Sequence, residues 1–214
     1  MTDAALLTPP PHVAAAEAPD YAGLLCARLC HDLISPAGAI GNGVELMREL
    51  GAGAGPELDL IGGAAGQLSA ALAFLRLAFG TAGDAPAGLP AVQRTVRAWF
   101  AHQRPTLRWP DAQGEIAAPR ARLLANLLQI AVSALPRGGE VAVETGPGPR
   151  LSVHAAGRVL LLPEGAEAVL AGAADAPAAS AREIHWTAAV RHARACGARL
   201  ALTRGDDLLT LSAA

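Results

Sequence analysis

The chain has 214 residues and a formal net charge of −2 at pH 7; 52% of the residues are apolar, but only 3% are aromatic. That length is enough for one large or two small domains. The basic residues are scattered along the chain rather than clustered, so binding to nucleic acid is not expected.

The cysteines and the apolar runs indicate the compartment. Cys26, Cys30 and Cys196 include no pair with the spacing of a zinc site, so no bound metal is expected, and an odd number of cysteines suits the reducing cytosol. The sequence shows neither a signal peptide nor an uninterrupted apolar run of about 18 residues. We therefore expect a cytoplasmic protein that does not associate with a membrane.

The first part of the chain contains one long helical pattern. Residues 1–19 are rich in Ala and Pro, which predicts a disordered tail. Asp20 is a suitable N-cap, and from there apolar residues recur at helical spacing to Leu50. We expect the two cysteines in this helix to be buried, because they lie on its apolar stripe. The stripe consists of Cys26, Leu29, Cys30, Leu33, Ala37, Ile40, Val44 and Met47.

His31 is predicted to face water, because it lies about 160° around the helix from Leu33 in the apolar stripe. An exposed imidazole beside a carboxylate suggests nucleophilic chemistry, since Asp32 can hydrogen-bond one ring nitrogen and raise the nucleophilicity of the other. Pro36 interrupts the helical hydrogen bonds at a cost of about 3 kcal/mol, which predicts a kink near a working site. A lone surface histidine, however, usually has no chemical role.

The segment HDLISPAGAI, residues 31–40, resembles the phosphoacceptor box of sensor histidine kinases. The longer segment 31–46 and the segment FLRLAFG at 74–80 resemble the ChpT-type histidine phosphotransferases of alphaproteobacteria. This resemblance implies a histidine phosphotransferase that shuttles a phosphoryl group between receiver-domain aspartates, from a hybrid histidine kinase to response regulators. It also implies cell-cycle regulators of the CtrA and CpdR type as acceptors.

Residue roles follow from the resemblance. His31 is then the phosphoacceptor, and Asp32 either orients its ring or takes its proton. No metal or cofactor of the chain's own is implied, because the receiver domain supplies the magnesium. Small and polar side chains around His31 leave room for a partner to approach closely, with one apolar residue on the same side of the helix. The expected receiver contacts are Leu24, Arg28, Ser35 and Asn42.

A second helical pattern follows the glycine-rich segment 51–55. Pro56 suits its first turn, and apolar residues spaced alternately by four and three continue to Phe79. Two long helices joined by a short loop form an antiparallel hairpin, which cannot bury all of its apolar residues alone. We therefore predict a homodimer in which residues 20–80, the dimerisation and phosphotransfer domain, form half of a four-helix bundle. The two copies of His31 would lie on opposite flanks of that bundle.

Residues 81–90 are predicted to be a linker, and residues 91–214 a second domain. The order and lengths of its elements predict a two-layer α/β sandwich with an antiparallel sheet, so that the whole chain has an α plus α/β fold. This domain resembles the ATP-binding domain of histidine kinases. The expected helices cover residues 91–103, 119–135, 164–170 and 181–196, and the expected strands cover 106–109, 140–145, 151–155, 158–162, 199–203 and 207–212.

The nucleotide site of that kinase domain is incomplete in this sequence. The kinase N box has the form Asn-Leu-Leu-x-Asn-Ala, in which the second Asn binds magnesium. Residues 126–131 keep this frame but place Ile130 at the metal position, and isoleucine offers no oxygen ligand. Residues 155–159 lack the adenine-binding Asp of the glycine box, and the glycine-rich lid is absent. ATP binding is therefore not expected.

Two other functions are consistent with the sequence. The chain would be a catalytically silent dimeric adaptor for two-component proteins, or an ATP-dependent histidine kinase with divergent boxes. The remaining histidines after the tail are expected to be structural or solvated, because no acidic or cysteine neighbour gives them the spacing of a metal site. They are His102, His154, His185 and His192.

Overall fold

A helical hairpin precedes a mixed α/β domain, as the sequence predicts. The tail predicted for residues 1–19 and the turns predicted at 51–55 and 146–149 lie outside the described residues. This computed structural model describes residues 21–50, 56–80, 85–145, 150–171 and 181–214.

The hairpin consists of helices α1 (Tyr21–Leu50) and α2 (Pro56–Phe79), which pack along each other and have the predicted bounds. Gly43 is buried where the two helices approach closely, because a Cβ atom at this position would lie 2.5 Å from Cγ1 of Ile61. Pro36 is buried within α1, and the helix continues through it. The kink at this proline remains a prediction.

The rest of the described chain folds into the α/β domain. Its helices are α3 (Leu89–Phe100), α4 (Ala118–Ala134), α5 (Ala166–Leu170) and α6 (Ile184–Ala195), the last preceded by a 3-10 turn, Ala181–Glu183. Its strands are β1 (Ala87–Gly88), β2 (Thr106–Arg108), β3 (Glu115–Ile116), β4 (Glu140–Thr145), β5 (Leu151–Ala156), β6 (Leu200–Arg204) and β7 (Leu208–Ala213).

The main sheet has the strand order β2–β4–β5–β7–β6. β2 pairs with β4 in parallel, and α4 lies in the crossover connection that parallel neighbours need. The other pairs in this sheet are antiparallel, so the prediction of an antiparallel sheet is wrong only at the β2 edge. β1 and β3, which were not predicted from the sequence, form a separate two-stranded antiparallel sheet.

The strand predicted for residues 158–162 is wrong. That segment follows β5, whose two sides are already paired with β4 and β7. Its backbone reaches the end of α4 instead, where the Leu161 amide donates a hydrogen bond to the Ala134 carbonyl (3.0 Å). Leu160 is buried, so the segment covers the core at that end of the helix without extending the sheet.

One face of the sheet packs against the helices. Along β5, Leu151, Val153 and Ala155 are buried and the residues between them are half-buried, which is the alternation of a strand with one covered face. α4 contacts this sheet as well as α2 and α6, and every residue from Leu123 to Ile130 is buried. α4 is therefore the central helix of the α/β domain.

The end of α2 is packed into the core of the α/β domain. Phe74 is fully buried and stacks on Trp99 of α3, with ring centroids 3.9 Å apart. The side-chain amide of Asn126 in α4 donates a hydrogen bond to the Ala78 carbonyl at the end of α2 (3.0 Å). Hairpin and α/β domain thus share one core. The division of the chain at residues 81–90 remains a prediction.

Cys26 and Cys30 are exposed, which corrects the expectation that they are buried. A single antiparallel neighbour covers only part of the circumference of a helix. α2 leaves this side of α1 open in the single chain, and Leu33 on the same stripe is only half-buried.

Among the described residues, one helical segment, residues 58–79 of α2, is long and apolar enough to cross a membrane. Only 17% of its most apolar window is buried in the structure. Length and composition alone give this result, and core helices of soluble proteins pass the same test. The expectation that no helix of the chain crosses a membrane therefore stays a prediction.

Replacing Phe74 with alanine is expected to destabilise the protein by about 3–5 kcal/mol, because it removes a fully buried ring and its stacking contact with Trp99. Leu161→Ala is the control, since this side chain is 58% exposed and its loss should cost about 0.5 kcal/mol or less. Urea unfolding followed by circular dichroism measures both free energies. Equal losses in the two variants would contradict the shared core.

Candidate functional site

His31 projects from α1 into solvent, as predicted, and 62% of its side chain is exposed. Its Nδ1 atom lies 3.1 Å from Oδ1 of Asp32. When Nδ1 carries the proton and donates it to the carboxylate, the lone pair of the neutral ring is on Nε2. The pair therefore presents an oriented imidazole with one nucleophilic nitrogen.

Arg28 holds the other oxygen of the Asp32 carboxylate. Its Nε atom donates a hydrogen bond to Oδ2 of Asp32 (2.7 Å), one turn further along the same helix. Its Nη1 atom donates to the backbone carbonyl of Arg182 (3.0 Å), in the 3-10 turn before α6. The Arg28 and Asp32 side chains are only 18% and 24% exposed, so the ion pair is shielded from water on most sides.

A cleft of about 270 Å³ lies beside His31, and three elements line it. α1 contributes His31 and Ser35, and α2 contributes Gln67. The third wall comes from the α/β domain, through Trp99 of α3 and His102 just after it. The second domain thus takes part in the site. The full lining is Arg28, His31, Asp32, Ser35, Pro36, Gln67, Ala71, Leu75, Trp99, His102 and Gln103.

The other residues that were expected to contact a receiver domain do not all line this cleft. Ser35 is exposed and lines it, whereas Asn42 is exposed about three turns beyond His31 and lies outside it. Leu24 is half-buried, although the helix geometry alone suggests an exposed apolar residue. Contact of these residues with a receiver domain remains a prediction.

Sequence reasoning missed the contributions of Gln67, His102 and Gln103 to the cleft. They come from α2 and from the end of α3, and no motif or spacing in the sequence relates them to the segment around His31. His102 is exposed, which agrees with the expectation of a solvated histidine. The sequence does not predict, however, that it lines the cleft beside His31.

A buried histidine lies behind Arg28. His185 in α6 is 1% exposed, and its Nε2 atom lies 3.4 Å from Oγ of Ser133. Burial, together with the positive charge of Arg28, lowers the pKa of His185 from 6.5 to about 3. The ring is therefore neutral at physiological pH, and it contributes no positive charge beside the guanidinium.

The described residues contain no group of three or more His, Cys, Asp or Glu side chains placed to hold a metal ion. Beside His31, one oxygen of the Asp32 carboxylate is engaged by the ring and the other by Arg28.

Comparison with known proteins relates this geometry to a family. A family model of the histidine phosphotransferase C-terminal domain matches residues 89–208. The protein phosphotransferase ChpT of Brucella abortus is 39% identical over 149 residues, which cover 67% of this chain and 71% of that protein. The chain belongs to the histidine phosphotransferase family.

One solved structure extends the similarity to the whole fold. A bacterial phosphotransferase has a TM-score of 0.77 at 32% identity, with 91% of this chain and 96% of that chain covered. The histidine kinase domain of the blue-light activated kinase of Erythrobacter litoralis EL346 has a TM-score of 0.41 at 14% identity, with 91% and 93% covered. The histidine phosphotransferase fold, a helical hairpin followed by an α/β domain, thus spans the described chain.

Membership of this family confirms the predicted class of enzyme, a protein phosphotransferase that acts in a phosphorelay. A histidine phosphotransferase needs a ring nitrogen that a partner protein can reach. His31, with its exposed ring and its carboxylate neighbour, has the geometry for that task.

Acidification below pH 6.5 is expected to destabilise the fold through His185. Its pKa in the folded protein, about 3, lies below the ordinary value of 6.5, so the unfolded chain binds a proton that the folded protein does not. The stability from this group is present above pH 6.5 and is lost as the pH falls toward 3. Between pH 7 and pH 5 the loss is about 2 kcal/mol.

Urea unfolding at several pH values measures this dependence. His185→Gln removes the titrating ring, so the free energy of unfolding of the variant should change less between pH 7 and pH 5. The same slope in both proteins would contradict the assignment to His185.

Proposed function

We propose that His31 is the phosphoacceptor of this histidine phosphotransferase and that it carries a phosphoryl group between receiver domains. One observation carries the proposal. His31 combines an exposed imidazole with a hydrogen-bonded carboxylate, at the edge of a cleft that a partner can enter.

Two transfers make up the reaction. The Nε2 lone pair attacks the phosphorus of an aspartyl phosphate on the donor receiver, and the bond from phosphorus to the aspartate oxygen breaks with its electrons on the carboxylate. The carboxylate of a second receiver then attacks the phosphohistidine, and the bond to Nε2 breaks to restore the imidazole. Asp32 accepts the hydrogen bond from Nδ1–H and stabilises the positive charge that develops on the ring.

The proposed partners are the receiver domain of a hybrid histidine kinase and the receiver domains of response regulators. Ser35, Asn42 and Leu24 are proposed to contact them from α1. CtrA-like and CpdR-like regulators are proposed on the sequence resemblance alone. The receiver brings its own magnesium, and this chain needs only to present the ring.

We further propose that the α/β domain does not use ATP. The side chain at the kinase metal position, Ile130, is fully buried in α4, and α6 packs along the same helix. Asn126, the first residue of the kinase-like box, is also fully buried and donates to the Ala78 carbonyl. Both positions serve the core of the protein.

Replacing His31 with glutamine is expected to abolish phosphoryl acceptance. The donor is a receiver domain carrying ³²P-labelled aspartyl phosphate, and label on the protein is followed by gel autoradiography. The variant should fold like the parent, because most of the side chain is exposed. His154→Gln, in β5 and outside the cleft, should accept phosphate at the parental rate.

Labelled ATP, incubated with the protein alone, distinguishes the other functions. Label from ATP would support a kinase with divergent boxes and contradict the proposal. Absence of label from either source would favour a silent adaptor. Label on the His31→Gln protein would place the phosphoacceptor elsewhere.

The hairpin is proposed to pair with a second copy as a four-helix bundle. Five of the seven large apolar side chains that are exposed in the described structure lie on α1 and α2, although these helices are packed against each other. Such a surface requires a cover, and a second hairpin offers the same surface in return. The five are Ile34, Leu46, Leu58, Leu60 and Leu72.

Leu72→Glu is expected to weaken this dimer, because a charge would be buried between the two hairpins. Leu161→Glu is the control, since that leucine is similarly exposed but lies in the α/β domain. Size-exclusion chromatography with light scattering gives the mass of each protein over a range of concentrations. A monomeric parent would contradict the proposed dimer. Sedimentation of the parent with phospholipid vesicles would contradict the expected location in the cytoplasm.

A further inference from the structure

We propose that Arg28 is a positioning residue for phosphoryl transfer: it clamps the Asp32 carboxylate to the Arg182 carbonyl of the α/β domain and thereby fixes the ring of His31. This inference rests on the proposed role of His31. It assigns to the second domain a direct part in holding the phosphoacceptor. It also differs from the expectation that Arg28 contacts the receiver.

The hydrogen bonds of Arg28 point inward. Nε donates to Asp32 at 2.7 Å and Nη1 donates to the Arg182 carbonyl at 3.0 Å, so one guanidinium joins two acceptors from distant parts of the chain. With 18% of its side chain exposed, Arg28 offers little surface to a visiting protein. The bond to Asp32 is partly buried and the bond to the Arg182 carbonyl is exposed, and both are charge-assisted, which makes them stronger than neutral hydrogen bonds.

The carbonyl that receives this bond lies two residues before a buried part of the α/β domain. Arg182 lies in the 3-10 turn that leads into α6, and Ile184 and His185 at the start of that helix are fully buried. The turn is therefore joined directly to a buried part of α6, and it also packs against α1. Arg28 holds the Asp32 carboxylate relative to this turn. The carboxylate in turn holds the imidazole, because its Oδ1 atom lies 3.1 Å from Nδ1 of His31.

A second contact joins α1 to the same helix without involving Asp32. The Arg191 guanidinium of α6 lies 4.4 Å from the centre of the Tyr21 ring at the start of α1. Arg191 thus offers a matched control, because its replacement disturbs the contact between α1 and α6 but leaves the carboxylate and its partners in place.

An arginine is required for this arrangement. Its planar guanidinium presents donors in fixed directions and reaches the carboxylate and the carbonyl at the same time. A lysine keeps the charge but concentrates it at one flexible atom, which cannot hold both acceptors in the same geometry. The clamp therefore depends on shape as well as on charge.

The test is the rate of label transfer from a ³²P-labelled receiver domain, measured at increasing receiver concentrations in single turnovers. Arg28→Gln and Arg28→Lys are expected to lower the maximal rate roughly tenfold to hundredfold, by analogy with the loss when residues that orient metal-ligating side chains are replaced. The half-saturating receiver concentration should stay within about twofold. Arg191→Gln should retain the parental rate.

A double-mutant cycle separates positioning from an unrelated effect on the fold. If Arg28 acts through Asp32, then Arg28→Gln should cause no further loss of rate in an Asp32→Asn protein. Nitrogen-15 NMR of the His31 ring gives a readout without turnover. The fraction of the tautomer with the proton on Nδ1 should fall in Arg28→Gln relative to the parent.

Three results would overturn the clamp. A raised half-saturating concentration at an unchanged maximal rate would make Arg28 a receiver contact, and a parental rate in Arg28→Lys would mean that charge alone suffices. Additive losses with Asp32→Asn would show that Arg28 acts elsewhere. A parent that accepts no phosphate, or a His31→Gln protein that accepts it, would refute the proposed function instead. The NMR measurement would still show whether Arg28 fixes the tautomer of the His31 ring.

Discussion

The packing of the end of α2 against α3 and α4 is the contact on which the rest of the structure depends. A two-helix hairpin has too little internal surface to hold itself together, and here it shares the core of the α/β domain through Phe74 and Ala78. Trp99, which stacks on Phe74, also lines the cleft beside His31. One aromatic contact therefore joins the two parts of the molecule and forms part of the site.

The segment of α4 that resembles a kinase N box contributes to the packing of this protein. In α4, the side-chain amide of Asn126 is engaged by backbone carbonyls of α2 and of its own helix, and Ile130 adds to the apolar core. These interactions hold the hairpin against the domain.

Much of the fold is encoded in local patterns, and these were predictable from the sequence. The bounds of α1 and α2, the exposure of His31 and the antiparallel pairing of β4 with β5 follow from helical spacing, glycine-rich breaks and strand alternation. The parallel pairing of β2 and the path of residues 158–162 were not predictable, because they depend on which sheet edges are occupied. For the same reason, the sequence did not place Gln67 or the Arg182 carbonyl beside the phosphoacceptor segment.

Pro36 has a further consequence for the backbone beside His31. A proline has no amide hydrogen, so the carbonyl four residues earlier in a helix is left without its usual donor. In α1 that carbonyl belongs to Asp32, the residue whose side chain orients the imidazole. A single residue thus combines a carboxylate that is engaged by two side chains with a main-chain oxygen that has lost its helical donor.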